Sequence, residues 1–367
     1  MTALLEGFTE YKKEDVEKYN KLRWWLGITW GDLLDKATDL YPTKEGLVDS
    51  RSRLTYAQLR EKVDKLAISL IKLGINKGDR VLLQLPNWNE YVFSFFALQK
   101  IGAIVVLLLP RYMHAEISHL CNLTRPRAWI LPHKYGKTDY SPIIAQVLKE
   151  NPQLEHIISV RGKETERSVN LEHLISDADL DEESLLELAD RRPDPMDVAQ
   201  IMPTGGTTGL PKASPRTHNS YICNIEYHAR AWEITSQDTR LVITPVGHGM
   251  ALHWGIGGAL FNYAKLVLLD TTEAEDICKV IQQERVTAIP TVPALATRLV
   301  NFEGLGKYDL SSLKKISVGG APSTPELVHS VYEKLGCKFT SGFGSVEGTC
   351  IATRLDDSIE TVCYSVG

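Results

Sequence analysis

A segment rich in Gly, Thr and Lys, "MPTGGTTGLPKASPRTHN", occupies residues 202–219. Glycine permits backbone angles that are closed to other residues, and it lets backbone N–H groups approach an anion closely. Threonine hydroxyls add hydrogen-bond donors, and one lysine adds a mobile positive charge. The residues concerned are Thr204, Gly205, Gly206, Thr207, Thr208, Gly209 and Lys212. Together they predict a loop that binds phosphate oxygens.

This loop differs from the Walker A motif, in which Gly and Lys are adjacent and a helix begins at the lysine. Here Leu210 and Pro211 separate the last glycine from Lys212. We expect the next helix to begin later, with Thr217 or Asn219 as its cap. The sequence therefore predicts a free-standing phosphate clamp.

The elements that must position this loop alternate between helices and apolar strands. The stretch "LTYAQLREKVDKLAISLIKLG" has one apolar stripe at helical spacing, and Gly74 ends it. Continuous apolar strands of this kind indicate parallel sheets covered on both faces. The expected strands are "DRVLLQLP", "AIVVLLLP", "AWILP", "HIISV", "VAQIMPT", "RLVITP", "AKLVLLD", "VTAIPTVP", "KKISVGG" and "KFTSGFG".

Two α/β subdomains are predicted, over residues 1–190 and 191–367, because residues 163–197 are polar and acidic and read as a linker. The fold class is therefore α/β, with two doubly wound subdomains. The run "IGAIVVLLLP" is about half of a membrane span, so we interpret it as a buried strand.

Composition narrows the function classes. The chain has 367 residues, 43% of them hydrophobic and 24% charged, which is ordinary for a globular protein. A net charge of −5 argues against nucleic acid or an anionic membrane as the partner. Six scattered cysteines without a CxxC pair indicate neither zinc nor a disulfide framework. We expect a cytoplasmic protein, because the N-terminus also lacks the pattern of a signal peptide.

The loop resembles the phosphate-binding signature of the adenylate-forming superfamily, which includes acyl-CoA synthetases, nonribosomal adenylation domains and luciferases. "PRTHN" and "TRLDD" are typical of aryl acid–AMP ligases, which activate 2,3-dihydroxybenzoate or salicylate for siderophores. "VGGAP" is similar to the adenine-side loop of the family, and "FGSVEGT" to its aromatic-Gly-x-x-Glu motif. The resemblance covers residues 20–367.

The resemblance implies that a carboxylic acid and ATP form an acyl-adenylate and pyrophosphate, and that the acyl group then passes to a thiol. It implies that residues 204–208 hold the β- and γ-phosphates, with Gly209 in the same loop. Catalysis would depend on Thr204, Thr207, Lys212 and Glu347, and Glu347 would hold Mg²⁺.

The same resemblance assigns the adenine side. It implies that Gly319, Gly320 and Ala321 line the ring, that Phe343 stacks on it with Gly344 following, and that Ser345 lies beside the α-phosphate. Small residues next to adenine let the backbone approach a flat ring.

The acid site is implied to include "TPVGHGMALHWGIGG", where His248 matches a histidine of the family. Dihydroxybenzoate ligases carry Asn and Tyr after this histidine and a Ser further on; this chain carries Gly249, Met250 and Trp254. A buried catechol hydroxyl without a partner costs about 1–3 kcal/mol. We therefore predict a less polar aryl or cyclic acid. Other expected walls of the pocket are Val318, Gly320 and Val346.

The family has more chain after the position where this sequence stops: a β-barrel subdomain, a hinge and a C-terminal domain with a catalytic lysine. We therefore expect this chain to be the truncated N-terminal portion of such an enzyme, and to adenylate poorly.

Three functions are compatible with these patterns. The first is an aryl acid–AMP ligase that serves an aryl carrier protein, which "PRTHN" and "TRLDD" favour. The second is an acyl- or aryl-CoA ligase, which the altered acid pocket favours. The third is a non-catalytic module that binds a nucleotide or an acid.

Overall fold

The computed structural model describes residue 5 and residues 7–162, 168–204 and 209–367. Its helices are α1 (Lys13–Lys21), α2 (Trp30–Leu40), α3 (Tyr56–Lys72), α4 (Asn89–Lys100), α5 (His114–Thr124), α6 (Ser141–Glu150), α7 (Leu171–Ser176), α8 (Glu182–Asp190), α9 (His218–Ala231), α10 (Gly258–Phe261), α11 (Ala274–Glu284), α12 (Pro293–Val300), α13 (Pro325–Ser330) and α14 (Ile359–Tyr364). Two π-helices (Met250–Gly257 and Val331–Leu335) and a 3₁₀-helix (Leu305–Lys307) complete the helical elements. Within these described ranges, every helix is too short or too polar to cross a membrane.

The strands are β1 (Glu45–Val48), β2 (Arg53–Thr55), β3 (Arg80–Leu83), β4 (Ile104–Leu107), β5 (Ala128–Pro132), β6 (Lys134–Tyr135), β7 (Thr138–Asp139), β8 (His156–Val160), β9 (Val169–Asn170), β10 (Val198–Pro203), β11 (Ala213–Thr217), β12 (Thr239–Val242), β13 (Lys265–Leu268), β14 (Ala288–Thr291), β15 (Lys315–Gly319), β16 (Lys338–Gly344) and β17 (Cys350–Ala352). Each of the ten strands expected from apolar runs contributes to one of these.

The chain divides into two compact units, and each unit is built from more than one stretch of sequence. The first contains residues 1–39, 57–86 and 90–223, and the second contains residues 40–56, 87–89 and 224–367. The mixed α/β architecture with largely parallel sheets agrees with the fold class expected from the sequence.

In the first unit, seven strands form one sheet in the order β11-β10-β4-β3-β5-β8-β9. All neighbours are parallel except β10 and β11, which form an antiparallel hairpin. The interior strand β4 is buried along its whole length, and so is helix α4. An all-buried strand and an all-buried helix explain why neither shows an apolar–polar alternation in the sequence.

In the second unit, eight strands form a sheet in the order β17-β16-β15-β14-β12-β13-β1-β2. Strands β16, β15, β14, β12, β13 and β1 are parallel to one another. One hydrophobic cluster of this unit joins β14, β15 and β16 to helices α11, α12 and α13.

The two compact units divide the chain differently from the predicted boundary between residues 190 and 191. Strands β10 and β11 belong to the first unit because β10 pairs with β4. Strand β1 belongs to the second unit because it pairs with β13, far along the chain. The expected linker region contains helices α7 and α8, and the division falls inside α9, between Cys223 and Asn224.

Candidate active site

The described residues of the phosphate-loop candidate, Thr204 and residues 209–212, flank the paired strands β10 and β11 of the first unit. Pro203 of β10 pairs with Ala213 of β11. Two hydrogen bonds join the next two residues, Thr204 and Lys212. The Thr204 N–H donates to the Lys212 carbonyl at 2.9 Å, and the Lys212 N–H donates to Thr204 Oγ1 at 3.3 Å. Lys212 therefore precedes strand β11, which the sequence analysis did not predict, and its side chain is exposed. Gly205, Gly206, Thr207 and Thr208 lie outside the described residues.

Two further features support this hairpin. Gly209 has φ +157°, at the edge of the region that favours glycine. A ring nitrogen of His119, on α5, lies 2.9 Å from the Pro211 carbonyl. Because a carbonyl only accepts, His119 Nε2 carries the proton and ties the loop to a helix of the same unit.

The "PRTHN" segment makes structural contacts. His218 Nδ1 accepts the N–H of Trp30 at 3.2 Å, and Asn219 Oδ1 accepts the N–H of Gly27 at 3.1 Å. The Arg216 guanidinium is buried and donates to the Ser220 carbonyl at 2.8 Å. The Thr217 hydroxyl accepts the Ser220 N–H at 3.2 Å, which caps α9 as expected for one of the two predicted residues. The segment thus holds the chain around residues 27–30 against the start of α9.

Burial lowers the pKa of His218 to about 3, since charging an imidazole inside the protein is unfavourable. The ring is therefore neutral, which its acceptor role at Nδ1 requires.

The other candidate residues lie in the second unit, after the carboxyl ends of parallel strands. His248 follows β12, the "VGGAP" residues end and follow β15, and Phe343 to Glu347 end and follow β16. Strand β14 lies between β12 and β15, and all four strands run in the same direction. Ligands of open α/β sheets bind at this edge.

The proposed adenine-side residues differ in exposure, because Gly319 is buried at the end of β15. Gly320 and Ala321 are exposed, and Gly320 has φ +86°, a conformation that favours glycine. Phe343 is 51% exposed. An exposed aromatic at the end of a buried strand is available for stacking and contributes little to the core.

Glu347 lies on the turn that joins β16 to β17, with Ser345 and Val346 before it. The Ser345 N–H donates to the Thr349 carbonyl at 2.8 Å, and the Gly348 N–H to the Ser345 carbonyl at 3.2 Å. The Asn224 side chain, from α9, donates to the Gly348 carbonyl at 2.7 Å. These bonds fix the turn and leave the Glu347 carboxylate exposed.

The expected acid site centres on a π-helix. Met250 and Trp254 lie on the π-helix Met250–Gly257, all of whose residues are buried. A Cβ added to Gly342 would lie 2.6 Å from Trp254 Cη2, and one added to Gly319 would lie 3.3 Å from Met250 Cε. The structure thus brings Met250 and Trp254 of the expected acid site to Gly319, which the sequence assigned to the adenine side, and to Gly342.

The Arg240 side chain makes a hydrogen bond to the backbone of this π-helix. Its guanidinium is fully buried, donates to the Trp254 carbonyl and lies 4.8 Å from the Trp232 ring. Burial lowers the pKa of Arg240 to about 9, against an opposing influence of Asp238.

Val318 is placed elsewhere. It alternates with Gly319 along β15, so its side chain points to the opposite face of the sheet. There it packs in the hydrophobic core of the second unit. The structure therefore does not bring the Val318 side chain to Met250 and Trp254. His248 is exposed, and its Nδ1 accepts the N–H of Met250 at 3.3 Å.

Comparison with known proteins decides the family. The AMP-binding enzyme family matches residues 34–367. The chain belongs to this family. It is 33% identical over 365 residues to the 2,3-dihydroxybenzoate-AMP ligase of Bacillus subtilis. This match covers 99% of this chain and 66% of the relative. It is 32% identical to the 2-hydroxy-7-methoxy-5-methyl-1-naphthoate–CoA ligase of Streptomyces carzinostaticus, over 98% of this chain and 65% of the relative.

Among solved structures, the apo structure of MbtA from Mycobacterium smegmatis matches with a TM-score of 0.89 at 28% identity. The match covers all of this chain and 66% of that chain. This AMP-binding enzyme chain therefore spans just under two thirds of the length of the relatives it matches.

One residue that positions the site in this AMP-binding chain was missed from the sequence. Asn87 is buried; its amide donates to the carbonyls of Thr244 and Leu269 at 3.0 Å each, and its oxygen accepts the Val246 N–H at 3.0 Å. It thereby fixes the segment that leads to His248. The only sequence signal was a polar residue directly after the strand "VLLQLP", in "PNWNE".

Proposed function

We propose that the chain activates an aryl or cyclic carboxylic acid with ATP, forming an acyl-adenylate and pyrophosphate, before the acyl group passes to a thiol. Membership of the AMP-binding enzyme family over residues 34–367 carries this proposal. Ligases and synthetases of aryl acids recur among its relatives.

In the proposed reaction a carboxylate oxygen attacks the α-phosphorus of ATP, and pyrophosphate leaves with the bridging oxygen. Charge is redistributed over phosphate oxygens, so positioning and electrostatic stabilisation supply the catalysis. Lys212 presents an exposed ammonium beside the hairpin turn. Because Thr204 Oγ1 already accepts the Lys212 N–H, its own proton remains available for a phosphate oxygen.

We propose Mg²⁺ as the companion of ATP and Glu347 as its protein ligand. The carboxylate is exposed on a fixed turn, and it makes no ion pair within the described part of the chain. A free carboxylate is the oxygen donor that Mg²⁺ prefers. Bound Mg²⁺ would neutralise charge on the phosphates.

We propose that the acid is less polar than 2,3-dihydroxybenzoate. The Trp254 indole and the Met250 thioether fill the space next to Gly319, and both side chains are buried. A phenolic hydroxyl that enters such a site without a hydrogen-bond partner costs about 1–3 kcal/mol.

Two thiol acceptors are compatible with the proposed reaction. An aryl carrier protein is favoured by the "PRTHN" and "TRLDD" motifs. Free CoA is favoured by the similarity to a naphthoate–CoA ligase, at nearly the same identity as the AMP ligase. A cytoplasmic location, which supplies ATP and CoA, belongs to the same proposal.

The test is calorimetric binding of stable acyl-adenylate mimics to the 367-residue chain. We expect benzoyl sulfamoyl adenosine to bind about tenfold more tightly than its 2,3-dihydroxybenzoyl counterpart, because of the unpaired hydroxyls. Trp254→Ser should remove this preference, since it adds space and a hydroxyl partner.

Trp24→Ser is the matched control, because Trp24 is 40% exposed and lies in the first unit. Binding of neither mimic would contradict adenylate formation. An unchanged order of the two mimics in Trp254→Ser would contradict the placement of Trp254 in the acid site. The acceptor is decided by mass spectrometry of the thioester that an enzyme with both this chain and the C-terminal domain of the family forms with CoA or with an aryl carrier protein.

A further inference from the structure

Two buried aromatic rings lie face to face in the second unit. The His228 ring, from α9, and the Trp254 ring are 4.4 Å apart between centroids, with an angle of 5° between their planes. Their exposed fractions are 6% and 4%. A parallel stack of this kind fixes the plane of the indole and its distance from α9.

The far edge of the same indole lies against the backbone of two strands. A Cβ on Gly342 would meet Trp254 Cη2 at 2.6 Å, and one on Gly319 would meet it at 3.4 Å. The indole is thus held between the His228 ring on one side and the glycine backbone at the ends of β15 and β16 on the other. Loss of either support would let it move.

The His228 side chain contributes a flat surface. Its Nε2 is buried and makes no hydrogen bond within the ranges that the structure describes. Burial, with the nearby His253 and Arg240, lowers the pKa of His228 well below its ordinary value, so the ring is neutral. A neutral imidazole with an unbonded Nε2 acts here through its ring face.

We propose that His228 is a positioning residue that sets acid specificity through Trp254. It keeps the indole edge against Gly342 and so limits the acid site to compact, single-ring aryl or cyclic acids, excluding fused bicyclic ones. This inference rests on the proposed function, because it deepens the description of the same acid site.

The experiment compares the binding of benzoyl and 1-naphthoyl sulfamoyl adenosine to the 367-residue chain by calorimetry. We expect the wild-type chain to prefer the benzoyl mimic. His228→Ala should reduce that preference about 3- to 10-fold, the range that loss of one aromatic stack produces. His228→Phe should keep it, because a phenyl ring preserves the stack.

A double-mutant cycle shows whether His228 acts through Trp254. In a Trp254→Ser background, His228→Ala should leave the ratio of the two affinities unchanged. Tyr227→Ala is the matched control on the same helix, since Tyr227 is 45% exposed. If His228→Ala does not fold, His228→Leu replaces it as a variant of similar volume without an aromatic face.

The outcomes separate the two proposals. If the wild-type chain binds neither mimic, the proposed function fails and this inference fails with it. If both mimics bind and the ratio is the same in His228→Ala and wild type, only the inference is overturned. Equal effects of the Phe and Ala substitutions would also overturn it, because the ring nitrogen and not the stack would then be responsible.

Discussion

At the scale of single residues, the "PRTHN" segment has a structural role, because its side chains hydrogen-bond to the backbone of the first unit. His218 and Asn219 accept backbone N–H groups of Trp30 and Gly27. The Arg216 guanidinium donates to the carbonyl of Ser220, which also lies in the first unit. The motif therefore holds a local arrangement of chain, through hydrogen bonds to Gly27, Trp30 and Ser220 of the first unit.

Acid should destabilise the chain through His218. Its pKa is about 3 in the folded chain, against 6.5 ordinarily. Between these values the unfolded chain binds a proton that the folded chain does not, so stability falls as the pH falls. In His218→Asn, the introduced amide oxygen can still accept the Trp30 N–H. The free energy of unfolding of this variant should change by about 1.4 kcal/mol less per pH unit than that of the wild-type chain.

Urea unfolding at pH 4, 5 and 6 measures this difference. The wild-type chain retains a pH dependence from other groups, including the buried His228, so the difference between the two slopes is the quantity of interest. Equal slopes would show that His218 is protonated in the folded chain.

At the scale of elements, the π-helix Met250–Gly257 is the feature that forms the expected acid site. Such helices are rare and recur at functional sites. Gly255 packs directly on β12: a Cβ there would lie 2.4 Å from Val242 Cγ2. Valine is stiff at its first side-chain torsion, so this contact does not relax easily.

Gly255→Ala should therefore lower the free energy of unfolding by about 1–3 kcal/mol, the usual cost of overpacking. Gly306→Ala is the matched control, because a Cβ at Gly306 meets open space. Its effect should stay within about 0.5 kcal/mol. Chemical denaturation measures both, and similar effects of the two substitutions would contradict close packing of the π-helix on β12.

At the scale of the whole molecule, strand pairing between distant segments defines the two units. Strand β1 pairs with β13, and β10 pairs with β4. A cut at residue 190 would therefore separate both pairs, although it follows the composition of the sequence.

The fragment 191–367, expressed alone, should not fold cooperatively. It would lack β1, which pairs with β13, and would carry β10 without its partner β4. Strands β13 and β10 would then present unpaired edges, and such edges promote aggregation. Circular dichroism with urea titration should show a cooperative transition for the 367-residue chain and none for the fragment. A soluble fragment with a sharp transition would contradict this division of the chain.

Much of the fold could be predicted from the sequence, because local patterns carry it. The stripe Leu59, Val63, Leu66 and Leu70 is buried on α3 as expected. The Gly74 N–H and the Ile75 N–H bond back to the carbonyls of Ile71 and Leu70, which ends the helix where the glycine indicated.

The sequence by itself determined helix α3, the ten apolar strands, the family and the candidate residues, because periodicity, caps and motifs depend on neighbouring positions. Only the tertiary structure decided which strands pair, that Val318 faces the core, and that His228 stacks on Trp254. These contacts join residues far apart in the chain, and their geometry follows from the packing of whole elements, which no local pattern encodes.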